Sequence, residues 1–483
     1  MIDFHELTYT YDGRDEPAIR DLDLSVGDNE FILIKGRSGS GKSTLAKLAT
    51  GFLGPDDGEI SGSVSIDGKA VASTPREELV ESVGLVQQDP ESQMVTLRVA
   101  DEVAFGPENL GLERGEISRR VTDSLEIVGG GDLFGREIQD LSSGEKQKVA
   151  IASVLALRPR NLILDEPTSS LDPGSTMGLG VVLGNLHRQG LTIVVIEHRY
   201  RWVIEYIDRA VELDKGRARE VGHIGRLADS AAPFRVQKRH HSRGRKLISV
   251  RGLSFSYGRR KALHEVDIEV HGGEILGIIG DNGSGKTTLI STIMGFLRPA
   301  EGSVEVKGRP VQATSDIWSD IGLVFQNPTH QLIEATVGDE IEFGPRNFGM
   351  PDDDIGEKCR IMMDYFDLTG YALSSPHSLS VGEKRRLNVA SVAVYEPDIF
   401  LLDEPFIGQD LGNVERIMEL IGSRVAGGSA CVLVTHDPDL AMAYCDRVAF
   451  LEEGEIKADG DPESVFRYLD RAGKDWYLPA GWC

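Results

Sequence analysis

The sequence predicts an α/β protein made of one unit written twice, each copy a mainly parallel sheet covered by helices on both faces. Three observations lead there. Unbroken apolar strands such as "EFILIKG" and "EILGIIG" alternate with helical stretches in both halves, the pattern of strands buried on two sides. The strings "FGPENLGL" from Phe105 and "FGPRNFGM" from Phe343 repeat at 343 − 105 = 238 residues, as do "LSSGEK" from Leu141 and "LSVGEK" from Leu379. The 483 residues are also too many for a single core.

In chain order, each copy opens with an edge pattern, "MIDFHELTYTY" or "LISVRGLSFSY". An apolar strand then runs into a glycine-rich turn and a helix, "KSTLAKLATGF" or "KTTLISTIMGF". A polar, helix-rich stretch follows, then a buried strand ("NLILDE", "DIFLLDE") and another ("LTIVVIEH", "ACVLVTH"). Lys42 and Lys286 stand 286 − 42 = 244 apart, so the second copy has lost about six residues in a loop between this point and Phe343. The expected domains are residues 1–229 and 247–483. The basic segment "SAAPFRVQKRHHSRGRK", Ser230 to Lys246, reads as a short solvated linker, with an anionic lipid or a partner as the alternative.

Composition excludes several classes. With 52 basic and 77 acidic residues the net charge is −25, which argues against a nucleic-acid coat and reads as a solvated acidic surface. The four cysteines, Cys359, Cys431, Cys445 and Cys483, all fall in the second half and form no C-x-x-C pair. A duplicated cysteine metal site is therefore not expected, and reduced, incidental thiols are. The start resembles neither a signal peptide nor a basic leader, and no apolar run approaches the roughly 20 residues of a bilayer span.

"GRSGSGKST", Gly36 to Thr44, and "GDNGSGKTT", Gly280 to Thr288, fit G-x-x-x-x-G-K-[ST] in the strand–turn–helix setting that gives the motif its meaning. Gly36, Ser38, Gly39, Ser40 and Gly41, with Gly280, Asn282, Gly283, Ser284 and Gly285, would curl backbone N–H groups round a phosphate at a helix N-terminus. Lys42 and Lys286 would reach the β- and γ-phosphates, Ser43 and Thr287 would ligate Mg²⁺, and Thr44 and Thr288 follow on the same helix turn. Asp165 and Asp403 end buried strands, where a carboxylate can hold Mg²⁺. Glu166 and Glu404 come next, placed to accept a proton from an attacking water. A bare acidic pair could merely solvate a strand end; the phosphate loop in each copy favours chemistry.

"LSSGEKQK" and "LSVGEKRR" resemble the signature motif of ABC ATPases, and the order of motifs around them is also that family's, over nearly the whole chain, twice. The resemblance implies two P-loop, RecA-like nucleotide-binding domains, each with a β subdomain and a helical subdomain, that pair head to tail with ATP and Mg²⁺ between them. It assigns Ser142, Gly144, Ser380 and Gly382 to the γ-phosphate across that interface. Gln88 and Gln326 match the Q-loop glutamine that senses Mg²⁺, and His198 and His436 match the switch histidine. Tyr11 and Tyr257 match the aromatic that stacks on adenine, with a core position as the alternative for both.

Within the family, "QDPESQ" and "QNPTHQ", each followed by the F-G-P-x-N stretch, look like the ATPases of energy-coupling-factor importers, which take up vitamins or transition-metal ions. That group places a second glutamine, here Gln93 and Gln331, in a helix beside the Q-loop, and "EHR", Glu197 to Arg199, also resembles it. The implied partners are an integral-membrane scaffold (T-type) subunit, seated on the 89–112 and 327–350 segments, and a small membrane substrate-binding (S-type) subunit. No nucleic acid is implied, and the place is the cytoplasmic face of the membrane. The alternatives are a soluble tandem ABC ATPase acting on ribosomes or nucleic acid and the fused ATPase of a sugar importer.

One stretch differs between copies. "TSSLD", Thr168 to Asp172, becomes "FIGQD", Phe406 to Asp410. Gly408 and Gln409 in place of Ser170 and Leu171 are expected to loosen the backbone and remove an apolar anchor. In the head-to-tail arrangement this loop serves the opposite site, so the site of Lys42, Glu166 and His198 is expected to be the weaker.

Overall fold

A computed structural model describes residues 1–37, 39–169, 171–221, 244–258, 260–311 and 317–482. Ser38, Ser170, Cys483 and most of the expected linker, 230–243, lie outside the described residues. The chain divides into two compact units, Met1–Ala231 and Ala232–Cys483.

Among the described residues the first unit has the strands β1 (Ile2–Tyr11), β2 (Ile19–Val26), β3 (Phe31–Lys35), β4 (Gly58–Ile66), β5 (Lys69–Ala70), β6 (Val83–Val86), β7 (Asn161–Asp165), β8 (Thr192–Ile196), β9 (Arg209–Asp214) and β10 (Arg217–Val221). They make an antiparallel sheet, β2-β1-β4-β5, and a six-stranded sheet, β10-β9-β3-β8-β7-β6. All pairs of the latter are parallel except the edge hairpin of β9 and β10. The helices are α1 (Lys42–Ala49), α2 (Arg76–Ser82), α3 (Val99–Asn109), α4 (Arg114–Ile127), α5 (Ser143–Leu155) and α6 (Pro173–Arg188).

The second unit repeats the plan with β11 (Lys246–Tyr257), β12 (Arg260–His271), β13 (Ile275–Ile279), β14 (Glu301–Val306), β15 (Arg309–Pro310), β16 (Ile321–Val324), β17 (Ile399–Asp403), β18 (Ala430–Val434), β19 (Arg447–Glu452) and β20 (Glu455–Gly460). Its sheets run β12-β11-β14-β15 and β16-β17-β18-β13-β19-β20, the same order as in the first unit. Its helices are α7 (Lys286–Ile293), α8 (Val337–Asn347), α9 (Asp352–Tyr365), α10 (Val381–Ala393), α11 (Leu411–Ala426), α12 (Pro438–Tyr444) and α13 (Pro462–Arg471).

Side-chain alternation explains the layering. In β3, Phe31 and Leu33 enter the core shared with α3 to α6, while Ile32 and Ile34 enter the core shared with α1 and the antiparallel sheet. Successive strand residues point to opposite faces, so a strand apolar at every position fills two cores. In β17, Phe400 and Leu402 face one core and Ile399 and Leu401 the other.

The six-residue deficit also has a location. The offset is 244 between Gly51 and Gly295, both at positive φ, and has fallen to 240 by Gly62 and Gly302, also both at positive φ. It is 238 at Val83 and Ile321, the starts of β6 and β16. Four residues are thus lost between these glycines, most of them from the start of the strand, since β4 has nine residues and β14 six.

Candidate active sites

Each phosphate loop links the end of a central strand to a helix whose first residue is the lysine. Gly41 and Gly285 cap α1 and α7 at φ 101 and 108. A Cβ there would lie 2.4 Å from the Ala18 carbonyl oxygen and 2.6 Å from that of Ala262, so only glycine permits this turn. Lys42 Nζ donates to the carbonyls of Gly36 and Arg37, both at 2.9 Å. Lys286 Nζ donates to those of Gly280 and Asp281, both at 2.8 Å. Both ammonium groups are thereby held curled over the loop. Ser40 Oγ and Ser284 Oγ are buried without a hydrogen-bond partner, as expected of groups awaiting a ligand.

The metal position is legible in both units. Ser43 hydrogen-bonds Asp165, and Thr287 Oγ1 donates to Asp403 Oδ2 at 2.9 Å. The other oxygen, Oδ1 of Asp165 and of Asp403, is buried with no partner. Burial, with the adjacent Glu166 or Glu404 charge, pushes each aspartate up to about 6. A buried carboxylate with one free oxygen beside a paired hydroxyl suits a hard divalent cation. Among the described residues no group of three His, Cys, Asp or Glu could hold a metal alone. A Mg²⁺ shared with phosphate oxygens needs no such cage.

Next along the chain, Glu166 and Glu404 adopt φ 46 and 49, left-handed conformations that a non-glycine residue holds only when its surroundings impose them. In each case the N–H is tied to the neighbouring strand, Glu166 to the Ile196 carbonyl at 2.9 Å and Glu404 to that of Val434 at 3.1 Å. Each carboxylate meets its histidine, Glu166 Oε1 to His198 Nε2 at 3.2 Å and Glu404 Oε2 to His436 Nδ1 at 2.9 Å. Burial alone would raise the Glu166 carboxyl; the His198 hydrogen bond and the charges of His198, Lys42 and Arg199 outweigh it, and the group sits below its usual range.

The glutamines split. Gln88 Nε2 donates to Glu166 Oε2 at 2.8 Å, whereas Gln326 is exposed. The loop of Gln326 is held instead by Arg385, which is 2 % exposed. Arg385 Nη1 donates to the Phe325 carbonyl at 2.9 Å and Nη2 to that of Gln326. Burial pushes the guanidinium down to about 10 against the opposing pull of Glu404 and Asp403. The first unit has Gln147 at the matching position, 1 % exposed, with neither amide atom partnered.

Gln93 and Gln331, expected in a helix beside the Q-loop, end short 3₁₀ turns there and aim their amides at the backbone. Gln93 closes a single 3₁₀ turn, Glu91–Gln93, accepting from Gln87 N at 3.1 Å and donating to the Leu85 carbonyl at 3.0 Å. Gln331 donates to the Asn388 carbonyl at 3.1 Å. Their amides brace the loop from within.

Ser142 and Ser380 cap α5 and α10 in reciprocal boxes with Glu145 and Glu383, which leaves two helix N-termini suited to an anion. Gly144 and Gly382 are buried just behind them. Tyr11 is half-buried with its hydroxyl 3.0 Å from Thr44 Oγ1, while Tyr257 is exposed and lies edge-on to Phe255.

The differing loop corrects one expectation. Gln409 is not a lost anchor: it is 5 % exposed and its Nε2 donates to the Gly382 carbonyl at 3.0 Å. In the first unit Leu171 fills that place by apolar packing. Gly408 does take φ 71. Asp172 and Asp410 both cap the following helix, accepting from Ser175 N at 2.8 Å and Asn413 N at 2.9 Å.

Gln409 and the Glu197 of "EHR" were singled out by sequence without these roles; Arg385 had escaped it, although the difference from Gln147 at the matching position marks it. Tyr477 had also escaped it. Fully buried, it donates to Asp281 Oδ1 of the second phosphate loop at 2.9 Å.

Comparison with known proteins agrees with this geometry. The ABC transporter family model matches residues 19–169 and 263–407. A Methanosarcina mazei protein, provisionally named an ABC transporter ATP-binding protein, is 34% identical over 530 residues, covering 97% of this chain and 90% of that one. A Bacillus subtilis protein provisionally named the HMP/thiamine import ATP-binding protein YkoD is 32% identical over 510 residues, covering 96% of this chain and 92% of that one. In fold alone, the chain also resembles the archaeal ribosome recycling factor aABCE1 in its complex with the stalk protein aP1, at TM-score 0.65 and 21% identity, over 97% of this chain and 92% of that one. The chain belongs to the ABC transporter ATPases: it carries two ATP-binding, ATP-hydrolysing domains in tandem and is the ATP-binding subunit of a transporter.

Proposed function

We propose that this subunit is the fused motor of an energy-coupling-factor type importer for a vitamin or a transition-metal ion. It would work at the cytoplasmic face of the membrane with a scaffold subunit and a small substrate-binding subunit. The observation that carries the reading is a pair of exposed apolar residues at matching places after each Q-loop. Val95 and Phe105 are exposed in the first unit and Ile333 and Phe343 at the same places in the second, with Leu97 and Phe348 also exposed. Exposed apolar clusters at corresponding places on two copies suit two helices of one membrane partner. The thiamine-import name of the Bacillus relative supports the same substrate range, and among the described residues no helix is long and apolar enough to cross a membrane.

In this reading the domains, residues 1–229 and 247–483, are joined by the linker 230–246 and close head to tail. Lys42 and Lys286 hold the β- and γ-phosphates, and Ser38 and Asn282 belong to the same cradles. Ser43 and Asp165, and Thr287 and Asp403, would hold Mg²⁺ with Gln88 and Gln326 beside it. When bound, the ion neutralises phosphate charge. Glu166 and Glu404 accept the proton of the attacking water, while His198 and His436 orient them. Ser142, Gly144, Ser380 and Gly382 donate to the γ-phosphate of the opposite domain, and Tyr11 and Tyr257 stack on adenine.

The test is purification of the complex in detergent from native membranes, with Phe105→Asp and Phe343→Asp compared to wild type. The expected result is a membrane scaffold and a small membrane subunit with the wild-type chain. Both should be lost from the variants, with ATP affinity and melting temperature kept. Copurification with ribosomes, or unaltered assembly of the variants, would overturn the reading.

A further inference from the structure

A buried acid outside the named catalytic set organises the first site. Glu197 is 4 % exposed and stands between Ile196, the last residue of β8, and His198. Its Oε1 accepts from Thr168 Oγ1 and from Thr168 N, the latter at 3.3 Å. Its Oε2 accepts from the N–H groups of His198 at 3.0 Å and Arg199 at 3.4 Å. One carboxylate therefore ties the residue two places after Glu166 to the backbone of the histidine that Glu166 meets. The second unit does this differently: Thr435 and Phe406 replace the pair, both buried. Thr435 Oγ1 there accepts from Asp437 N at 3.0 Å.

We infer that Glu197 is a positioning residue, which with Thr168 sets the separation and orientation of Glu166 and His198. The inference rests on Glu166 being the proton acceptor of its site. Four hydrogen bonds converge on one side chain, and a carboxylate supplies only acceptors for them. Burial and the facing Glu166 charge both raise the Glu197 carboxyl, so an acid is held here against an electrostatic cost. A role in filling space alone does not account for that, since Thr435 with Phe406 fills the equivalent place in the second unit. A carboxamide of the same shape would turn a donor toward N–H groups, either at His198 and Arg199 or at Thr168.

The experiment measures steady-state ATPase of the full chain in its complex for Glu166→Gln, Glu197→Gln, their combination, and the pair Thr168→Phe with Glu197→Thr, which copies the second unit. Glu197→Gln is expected to lose most of the kcat that Glu166→Gln loses, with KM for ATP within about twofold, because small misplacement of reacting groups lowers turnover more than binding. The combination is expected to be no worse than Glu166→Gln, the signature of residues acting as one unit. The copied pair is expected to keep kcat within about threefold of wild type, and it carries the test should Glu197→Gln fail to fold.

Wild-type kcat in Glu197→Gln beside an impaired Glu166→Gln would overturn the positioning role alone. So would additive losses in the combination, or a copied pair as impaired as Glu197→Gln. Wild-type kcat in Glu166→Gln would overturn the reading of the site itself, and this inference with it.

Discussion

The two ATP sites share a lysine, an aspartate, a glutamate and a histidine, yet what surrounds them differs. In the first unit the glutamate receives Gln88 and His198, and Glu197 joins the histidine turn to the loop beyond it. In the second, Arg385 holds the Q-loop backbone, Gln409 holds the signature helix, and Tyr477 holds the phosphate loop. Duplication has thus kept the groups proposed to touch nucleotide and exchanged the groups that hold them in place. A catalytic side chain must match the chemistry of phosphate and water, whereas its support need only match a neighbour, which can change with it.

The largest effect expected on this comparison comes from the groups the sites share. Lys42→Ala and Lys286→Ala should each weaken nucleotide binding or turnover strongly, and the double variant should abolish ATPase while its melting curve stays cooperative. Equilibrium binding of a labelled ATP analogue with steady-state ATPase checks this; normal turnover of the double variant would end the motor reading.

Next comes the inequality between sites. In the head-to-tail reading the "FIGQD" loop serves the site of Glu166. Glu404→Gln should therefore cost more turnover than Glu166→Gln, while Glu166→Gln still falls measurably below wild type, because misplacing the attacking water slows that site. Gln409 is anchored to the Gly382 carbonyl, so slackness of the loop is not the expected cause. Equal losses, or a larger one from Glu166→Gln, would leave the loop's change neutral.

The supports themselves predict effects of opposite sign. Arg385→Gln removes the two bonds to the Q-loop carbonyls and should destabilise the chain by about 2 kcal/mol, as losing hydrogen bonds made by a charged group does. Gln147→Leu, at the matching position, buries no unpartnered amide and should stabilise by about 1 kcal/mol. Urea unfolding of each variant separates these, and a loss from Gln147→Leu would show that its amide has a task.

The last effect is one of pH. Asp165 and Asp403 are raised to about 6 from an ordinary value of 3.8. Between those values the folded state binds more protons than the unfolded one, so stability falls as pH rises through the window and the penalty is complete above it. Chain free of nucleotide and Mg²⁺ should therefore be more stable near pH 5 than pH 7, as far as these groups are concerned. Asp165→Asn should flatten the dependence and stabilise at pH 7 by roughly 2 kcal/mol. Melting temperature against pH for the two chains checks the sign.

Much of the molecule was legible because it is written in local pattern. Strands apolar at every position could only be buried on both faces, and β3 and β17 send alternate residues into two cores. Glycines such as Gly41 and Gly285 stand where a Cβ would strike a backbone carbonyl. Gln93 and Gln331 do stand in helical turns beside the Q-loop, but no local pattern records that their amides reach the Leu85 and Asn388 carbonyls.

The doubled α/β plan and the paired candidate motifs could be read from local pattern, because strand periodicity, turn glycines and motif spacing act over a few residues. How each set is held came only with the fold. Thr168 and Glu197 are 29 residues apart, Arg385 and Phe325 60, and Tyr477 and Asp281 196. Burial obliges a polar group to find a partner, but which partner lies in reach is settled by packing between distant elements, and local pattern carries no record of that.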